Sequence, residues 1–479
     1  MNIINHLKNN AKKNPTKIGF VDEENSYTFQ EMYEQVEIFS RSQILSNNKK
    51  VISLISENSS SFIIAYLGII NSGKIVHLIS PNISEKNFSN QIESADPGII
   101  ICPENIKMNI KNINSSKKPV FEFSEIISKA INDKKTTEIS EIAYLIYTSG
   151  TTAEPKGVPI SHDMIEFTTK NIIKILGYSS SDIDVLPLPL YHSFGLGCLH
   201  TSIHVGSTLI LLKNANNLEN ILKSLKKFKA TTLAAVPATL TKFLKIEKTS
   251  LNSYFSNIRL IITNSTSIPI NTIKEFKGIL ENGNLATYYG LTEASRSTFM
   301  IFDKNYEREN SVGKVSPEVE IKIINHDESN PKLGEIWISG KNVIKHYWNN
   351  SIADKNMKDG WLRTGDVGYF DNNGYLFLKG RNDDIINIGG EKVIPYEIEE
   401  VVKQISGVED VVAFGIEHEI FGQTMKLNIL KKKNSDLDKS KILSHCIKNL
   451  EKFKMPSKIE FVDNIPKNEY GKVKRFMLK

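Results

Sequence analysis

A dense polar run follows a predicted buried strand near residue 147. The apolar stretch EIAYLI (residues 141–146) predicts the strand, and YTSGTTAEPKGVPISH (residues 147–162) comes directly after it. A tight turn needs one or two such residues, whereas this run supplies hydroxyls and glycines throughout and adds Lys156. Backbone N–H groups of such a turn can converge on an anion, and a lysine can reach phosphate oxygens. The run therefore predicts a phosphate-contacting loop, with a long polar turn as the alternative.

The order of residues in this run excludes one well-known type of phosphate loop. A Walker loop places Gly-Lys-Ser/Thr at the start of a helix. Here Lys156 precedes Gly157, and no Gly-Lys-Ser/Thr sequence follows. A P-loop NTPase of the kinase or GTPase type is therefore excluded.

Alternating strand and helix patterns must position this loop. The segment NLENILKSLKKFK (residues 217–229) has apolar residues at helical spacing, and buried strands are predicted at residues 49–56, 74–80, 98–103 and 207–212. Such alternation predicts α/β layers with largely parallel sheets. From about Gly313 onward, short apolar runs joined by turns predict an antiparallel or barrel-like piece.

The chain of 479 residues is too long for one ordinary core. A change of pattern near residue 380 leads into IPYEIEEVVKQIS (residues 394–406), a predicted helix with Pro395 in its first turn. The segments beyond it complete a small α+β unit. We therefore predict a large domain over residues 1–380 and a small domain over residues 381–479, joined by a short hinge because no low-complexity linker is present.

The composition indicates an ordinary soluble protein. The net charge of +6 arises from 60 Lys+Arg against 54 Asp+Glu and is spread along the chain, so it does not call for nucleic acid. Cys102, Cys198 and Cys446 lie far apart without a CxxC pair, which fits free thiols in a reducing compartment. The N-terminus lacks the apolar core of a signal peptide, and no apolar stretch could span a bilayer. We expect a cytoplasmic protein without an integral membrane segment.

Three further segments follow the polar run in a fixed order. They are TYYGLTEA (residues 287–294), GWLRTGDVGYFDNNGYLFLKGRNDDIINIGGEKVIPYEIE (residues 360–399) and PKNEYGKVKR (residues 466–475). Together with the polar run, they resemble the adenylate-forming (AMP-binding) superfamily of acyl- and aryl-CoA synthetases, luciferases and peptide-synthetase adenylation domains. The resemblance covers the chain from about residue 1 to its C-terminus.

The resemblance implies a fold and an activity. The fold would be a large N-terminal domain of α/β subdomains plus a distorted β-barrel, followed by a small mobile α+β domain. The activity would convert a carboxylic acid and ATP with Mg²⁺ into an acyl-adenylate and pyrophosphate. The acyl group would then pass to the thiol of coenzyme A, or to the phosphopantetheine arm of a separate acyl carrier protein.

By this resemblance, the polar run holds the β- and γ-phosphates. Ala153 stands where the family usually has glycine; if the position needs a positive φ, the alanine would strain it and make this loop stiffer or slower than in its relatives. The residues implied in phosphate contacts are Thr148, Ser149, Gly150, Thr151, Thr152 and Lys156.

The resemblance assigns the remaining ATP contacts to two other segments. Tyr289 would stack on adenine, Thr292 would donate to the α-phosphate, and Glu293 would hold Mg²⁺, a hard cation that needs only one or two protein carboxylates beside the phosphates. Asp366 would accept hydrogen bonds from both ribose hydroxyls, with Arg381 nearby. The adenine wall Asn264-Ser265-Thr266 departs from the family's glycine-rich form.

The C-terminal segment carries the implied catalytic lysine, Lys472. Its ammonium would screen the repulsion between the substrate carboxylate and the α-phosphate. Because Lys472 and the phosphate loop lie on different domains, catalysis would require domain closure. The family's hinge matches Asp383, and Gly389 and Gly390 match the segment that lines the thiol tunnel in the second state.

The acid site matches PLPLYHSFGLGCLH (residues 187–200). Members that activate amino acids usually carry an aspartate directly after the position of His192, and here Ser193 stands there, so the acid should lack an α-amine. His192 fits the family's gate between the acyl site and the thiol tunnel. Its alternative role is a half-buried histidine bonded to backbone.

Two observations bear on the class of acid. Phe194, with Leu196 and Leu199, suggests an apolar pocket for a fatty or aryl acid. Arg296 could instead bind a second carboxylate of the acid, although a salt bridge within a loop is its more ordinary role.

Two alternatives to a ligase remain within the same fold. The first is a non-catalytic relative that binds ATP or acyl-AMP, and only Ala153 and the unusual adenine wall favour it. Oxidation of the luciferase kind would need the same motifs.

Overall fold

The structure is a computed structural model of the chain. It describes residues 2–46, 49–131, 138–148, 155–303, 308–325, 332–389, 391–467, 473 and 475–478. By internal packing the chain divides into two compact units, one comprising residues 1–320 and 338–362 and the other comprising residues 321–337 and 363–479. The boundary predicted at residue 380 separates the large domain from a small mobile domain. It stays a prediction.

The helices of the described residues alternate with strands over the first three hundred residues. In chain order they are α1 (Ile3–Lys13), α2 (Phe29–Ser40), α3 (Ser60–Asn71), α4 (Glu85–Ala95), α5 (Glu104–Ile113), α6 (Phe123–Ser128), α7 (His162–Leu176), α8 (Ser193–Val205), α9 (Leu218–Phe228), α10 (Pro237–Phe243), α11 (Lys248–Phe255), α12 (Ile270–Ile279), α13 (Pro395–Lys403) and α14 (Lys439–Asn449).

The strands are short, as is usual for α/β proteins. In chain order they are β1 (Ile18–Val21), β2 (Ser26–Thr28), β3 (Val51–Ile55), β4 (Ile75–Ile79), β5 (Ile99–Ile101), β6 (Val120–Phe121), β7 (Ile142–Thr148), β8 (Lys156–Ser161), β9 (Ile183–Leu186), β10 (Thr208–Leu211), β11 (Thr232–Ala234), β12 (Leu260–Thr263), β13 (Asn284–Leu291), β14 (Ala294–Phe302), β15 (Ser311–Val315), β16 (Val319–Ile324), β17 (Gly334–Gly340), β18 (Met357–Lys358), β19 (Trp361–Phe370), β20 (Leu376–Arg381), β21 (Ile386–Ile388), β22 (Glu391–Val393), β23 (Val408–His418), β24 (Gly422–Lys431) and β25 (Lys458–Phe461).

The first unit contains a six-stranded sheet in the order β6-β5-β3-β4-β7-β8. Its strands run parallel except β8, which returns antiparallel to β7. Every residue of β3 and β4 is buried, because helices cover both faces of a parallel sheet of this kind. The antiparallel return places the polar run of the sequence in the connection between β7 and β8.

A second sheet of the first unit has the order β14-β13-β12-β11-β9-β10-β1-β2. Its strands from β13 through to β1 pair in parallel, and β14 pairs antiparallel with β13. The helices α7 and α8 pack against each other, and α1 packs against both. A large shared core includes Tyr66, Phe29 and Phe39. The sheet thus brings the carboxyl ends of β12 and β13 side by side.

The second unit contains an antiparallel sheet in the order β22-β21-β24-β23, with β25 parallel to β24. The helices α13 and α14 cover it, and Ile398, Val402 and Ile442 are fully buried in the shared core. The mixed α/β class predicted from the sequence is confirmed. No helix in the described part of the chain is long and apolar enough to cross a membrane.

Candidate active site

The polar run is the loop of a β-hairpin. Thr148 ends β7 and Lys156 begins β8, and the two residues are direct cross-strand partners. Gly157 pairs next with Tyr147, and a Cβ at Gly157 would lie 3.0 Å from the side chains of Tyr147 and Trp348. The structure therefore fixes both ends of the predicted phosphate loop. The loop residues Ser149, Gly150, Thr151 and Thr152, with Ala153, lie outside the described residues.

The segment YYGLTE forms the end of β13 and the turn into β14. Tyr289 is buried, while Thr292 and Glu293 are half-buried in the turn. A Cβ at Gly290 would lie 2.5 Å from the backbone nitrogen of Arg296, so the turn closes only over a glycine. The turn thus presents Thr292 and Glu293 together, as their predicted roles at the α-phosphate and the metal ion require.

Tyr347 connects the turn to the hairpin of the phosphate loop. Its hydroxyl donates to Glu293 Oε1 at 3.1 Å, and the ammonium of Lys156 lies 5.7 Å from the centroid of its ring. Burial, and then Glu293, raises the pKa of Tyr347 well above its usual range, which keeps the hydroxyl protonated as a donor. The backbone of Trp348 donates to Gly157 O at 2.8 Å and holds this segment against β8.

The start of α8 carries the predicted acid-site residues. His192 caps the helix, and burial lowers the pKa of His192 to about 4, so the imidazole is neutral at pH 7. Ser193 is half-buried. Phe194 is buried and packs edge-on against Tyr288, with ring centroids 5.4 Å apart. The predicted roles of His192 as a gate and of Phe194 in the pocket stay predictions.

Arg296 is buried beside α8. Only 5% of the residue is exposed. Its Nη2 donates to the carbonyls of Ser193 at 3.3 Å and Phe194 at 3.4 Å, its Nη1 donates to Ser295 Oγ at 2.6 Å, and the guanidinium lies 4.9 Å from the ring centroid of Tyr288. None of these neighbours is a carboxylate. Its backbone also adopts a left-handed φ of 58°, which is uncommon for an arginine.

A cavity lies next to this arginine. Four of its lining residues are apolar or aromatic, and others belong to the turn after β13 and to the start of α8. The lining residues are Tyr144, Ile160, Met164, Ile165, Thr168, Ser193, Gly197, His200, Thr292, Ser295 and Arg296. The cavity therefore adjoins both Thr292, predicted at the α-phosphate, and Arg296, predicted in the acid pocket.

The predicted adenine wall follows β12. Ser265 adopts a φ of 92°, a conformation that favours glycine, and its backbone N–H donates to Asn264 Oδ1 at 2.6 Å. A serine therefore adopts this backbone conformation here at a cost of about 1–2 kcal/mol relative to glycine.

The two predicted ribose residues lie together in the second unit. Asp366 and Arg381 are cross-strand partners in β19 and β20, and Arg381 Nη1 donates to Asp366 Oδ1 at 3.0 Å. A Cβ at Gly365 would lie 2.8 Å from Arg381 Nη2. The pairing orients the Asp366 carboxylate.

The other predicted residues of this unit are exposed or outside the described part. Asp383 is exposed in a 3₁₀ turn over Asn382–Asp384. Gly389 is also exposed, with a φ of 60°, and its N–H donates to Phe421 O at 3.0 Å. Gly390 and Lys472 are not among the described residues. The hinge, tunnel and lysine roles stay predictions.

Sequence reasoning missed two residues of this arrangement. Tyr347 lies in KNVIKHYWNN, a polar segment without periodicity or a turn signature. Gly197 lies inside α8, where a Cβ would approach Arg296 Nη2 to 1.9 Å. A glycine within a helical pattern is the one signal that could have drawn attention to Gly197, since such a residue often marks a close approach.

Comparison with known proteins agrees with this geometry. Residues 7–348 match the model of the AMP-binding enzyme family, and residues 397–472 match the AMP-binding enzyme C-terminal domain. Acyl-CoA synthetase 7 of Caenorhabditis elegans is 27% identical, with 100% of this chain and 95% of that protein covered. An oxalate–CoA ligase of Arabidopsis thaliana is 29% identical over 89% of this chain and 87% of that protein.

A solved structure shares the architecture. The o-succinylbenzoate CoA synthetase of Bacillus subtilis, in complex with its acyl-adenylate intermediate, superimposes with a TM-score of 0.87 at 25% identity, covering 99% of this chain and 98% of that one. The predicted resemblance is confirmed: the chain is an acid–thiol ligase and belongs to the AMP-binding enzyme family.

Proposed function

We propose that this ligase activates a small dicarboxylic acid with ATP and Mg²⁺ and transfers it to coenzyme A. One carboxylate would meet the α-phosphate beside Thr292, and the other would pair with Arg296. Acyl transfer in two steps needs a site that holds the reacting groups in place and excludes water from the mixed anhydride. The proposal concerns the acid, the acceptor and the roles of the named residues.

The burial of Arg296 carries the proposal. Its guanidinium contacts two carbonyls, one hydroxyl and an aromatic face, and no described carboxylate lies within salt-bridge distance of it. Burying a charge without an opposite charge costs several kcal/mol, of order 3–5 in measured cases. A carboxylate of the substrate would supply the missing charge in bidentate geometry.

The lining of the cavity suits a carbon skeleton with charged ends, because it combines apolar side chains with polar groups and Arg296. Ile160, Met164 and Ile165 offer an apolar surface for the carbon skeleton. Two of the relatives reported above, the oxalate–CoA ligase and the o-succinylbenzoate CoA synthetase, are named for acids with two carboxylates, which supports the proposal.

A fatty or aryl monoacid is the second candidate, because the apolar side of the cavity would suit it. Leu196 and Leu199, however, are fully buried and do not line the cavity. The residues of α8 that do line it are Ser193, Gly197 and His200. None of the three side chains named in that prediction, Phe194, Leu196 and Leu199, lines the cavity, and all three belong to the core of the first unit.

The test is ATP–pyrophosphate exchange with diacids of increasing length and with the monoacid of matched length for each. We expect exchange with a diacid, and Arg296→Met should lower kcat/KM for that diacid at least about 30-fold, the equivalent of 2 kcal/mol for a buried pair. The same variant should change the monoacid rate much less. Arg41→Met is the matched control, because Arg41 at the C-cap of α2 pairs with Glu37 and does not line the cavity. Equal losses with both acids would contradict the diacid proposal while leaving the ligase activity intact.

The acceptor is assigned to coenzyme A, as in the named relatives. The phosphopantetheine of a separate carrier protein presents the same thiol and is the alternative. Formation of the thioester from free coenzyme A, at a rate matching adenylation, would support coenzyme A as the acceptor. Transfer only to a carrier protein would support the alternative.

A cytoplasmic location accords with Cys102, Cys198 and Cys446, which form no disulfide.

A further inference from the structure

Two histidines and a glutamate meet on the first unit, and none of the three lines the cavity. His6 lies on α1, Glu166 on α7 and His204 on α8. His6 Nε2 lies 2.8 Å from Glu166 Oε2, and His204 Nε2 lies 3.7 Å from Glu166 Oε1. The two imidazoles stack with ring centroids 3.9 Å apart. The side chains are 12%, 15% and 20% exposed, in the order His6, Glu166 and His204.

We propose that His6, Glu166 and His204 bind a zinc ion that ties α1 to α7 and α8. The three ligand atoms all lie within 4.8 Å of one another. Ligands at about 2.0–2.2 Å from a tetrahedral zinc ion lie roughly 3.3 Å apart, between the two observed separations. Two imidazoles and one carboxylate are a ligand set that zinc accepts, with water in the fourth position.

The hydrogen bonds among these three side chains favour a metal site over a simple histidine–carboxylate cluster. His204 Nε2 is buried and has no hydrogen-bond partner, and its distance to Glu166 Oε1 exceeds a hydrogen bond. The carboxylate already lies within hydrogen-bond distance of His6, whereas His204 would have to move closer to donate to it. A zinc ion would satisfy both imidazole nitrogens and the carboxylate at once.

The ligand set selects among metal ions. Mg²⁺ and Ca²⁺ prefer oxygen ligands, so two imidazoles select against both.

Lys170 competes with the proposed ion. Its ammonium lies 3.0 Å from Glu166 Oε1 within α7, and its side chain is 63% exposed. A zinc ion would displace this ammonium into water. Removing the lysine should therefore tighten zinc binding, an effect that a histidine–carboxylate cluster without a metal would not produce.

The experiment titrates chelator-treated full-length protein with ZnCl₂ by calorimetry, without nucleotide. We expect one zinc ion per chain, and His6→Gln and His204→Gln should each weaken its affinity at least about tenfold. Lys170→Ala should strengthen it a few-fold. Co²⁺ in place of Zn²⁺ should give visible absorption bands in the wild type that His204→Gln loses.

Two control variants separate this site from others. His346→Gln removes the imidazole of another histidine–carboxylate pair, whose Nδ1 lies 3.7 Å from Asp354, and Glu293→Gln changes the carboxylate predicted to hold Mg²⁺. Both should bind zinc as the wild type does. Absence of zinc binding, or binding that His6→Gln, His204→Gln and Lys170→Ala leave unchanged, would overturn the proposal. Circular dichroism of the chelator-treated variants verifies that they fold.

Discussion

The Tyr347 hydroxyl donates a hydrogen bond to Glu293 Oε1 at 3.1 Å. The same ring lies 5.7 Å from the ammonium of Lys156, on the strand that leaves the phosphate loop. One side chain thus contacts the carboxylate predicted to hold Mg²⁺ and the lysine predicted to reach the phosphates. We infer that Tyr347 is a positioning residue, which orients these two groups and does not itself take part in the reaction.

Tyr347→Phe should reduce adenylation about tenfold, because a hydrogen bond to a charged group contributes roughly 1.5–3 kcal/mol and not all of it acts in the transition state. The loss should be accompanied by a higher Mg²⁺ requirement, since Glu293 is no longer oriented. Pyrophosphate exchange as a function of Mg²⁺ concentration measures both effects. Tyr33→Phe is the matched control, because Tyr33 interacts with Glu37 on α2. A loss that additional Mg²⁺ does not relieve, or an equal loss in Tyr33→Phe, would argue against the positioning role.

Asp366→Asn should raise the KM for ATP about tenfold, because an amide accepts from a diol with one oxygen instead of two and removes the negative charge that Arg381 Nη1 contacts. The measurement is the ATP dependence of pyrophosphate exchange with saturating acid. Arg363→Gln serves as control, since Arg363 pairs with Glu335 on the same unit. An unchanged KM for ATP would exclude a ribose contact by Asp366.

Lys472→Ala should impair adenylation far more than thioester formation from preformed acyl-adenylate. The ammonium is needed while the substrate carboxylate approaches the α-phosphate, and that repulsion is absent once the anhydride exists. Single-turnover assays of the two half-reactions separate these steps. Similar losses in both would contradict the prediction that the small domain presents Lys472 in one state only.

Asp184 should make stability depend on pH. Burial raises the pKa of Asp184 to about 7, although Ser202 donates a hydrogen bond to it. Because the pKa in the unfolded chain is about 3.9, the folded protein binds the extra proton between about pH 4 and pH 7. This contribution to stability is therefore present at low pH and is lost as the pH rises through that window.

The variant Asp184→Asn does not titrate, so its thermal midpoint should fall less than that of the wild type as the pH rises from about 4 to 7. Above about pH 8 the difference between the two proteins should stay constant. Thermal unfolding at a series of pH values provides the comparison. Parallel curves for the two proteins would show that Asp184 is not protonated in the folded state near neutrality.

The sequence predicted the fold well where local signals agree with long-range packing. Hydrophobic runs at β3, β4 and β10 appear as buried strands, and the polar run appears between β7 and β8. The antiparallel return of β8 could not be predicted, because KGVPIS has no clear alternation and contains Pro159. Which strands pair with each other depends on contacts between segments far apart in the chain, and local residue patterns do not reveal those contacts.

The motifs predicted which residues form the candidate site, but they did not predict which side chains surround those residues. The motif residues Glu293 and Arg381 have partners that the motifs do not indicate. Tyr347 could not be assigned to Glu293 from sequence, since 54 residues separate them. The surroundings of Arg296 were equally hidden, because a salt bridge within a loop and a buried guanidinium next to a cavity have the same sequence pattern.

The close approach of Gly197 to Arg296 has a consequence for how acid preference can change among related chains. Any side chain at residue 197 would occupy the space of the guanidinium. A glycine at this helical position and an arginine at this hairpin position should therefore be inherited together. A chain that gains bulk at the first must move or lose the guanidinium at the second. Given the proposed role of Arg296, the residue types at these two positions should therefore separate ligases that accept a diacid from ligases that do not.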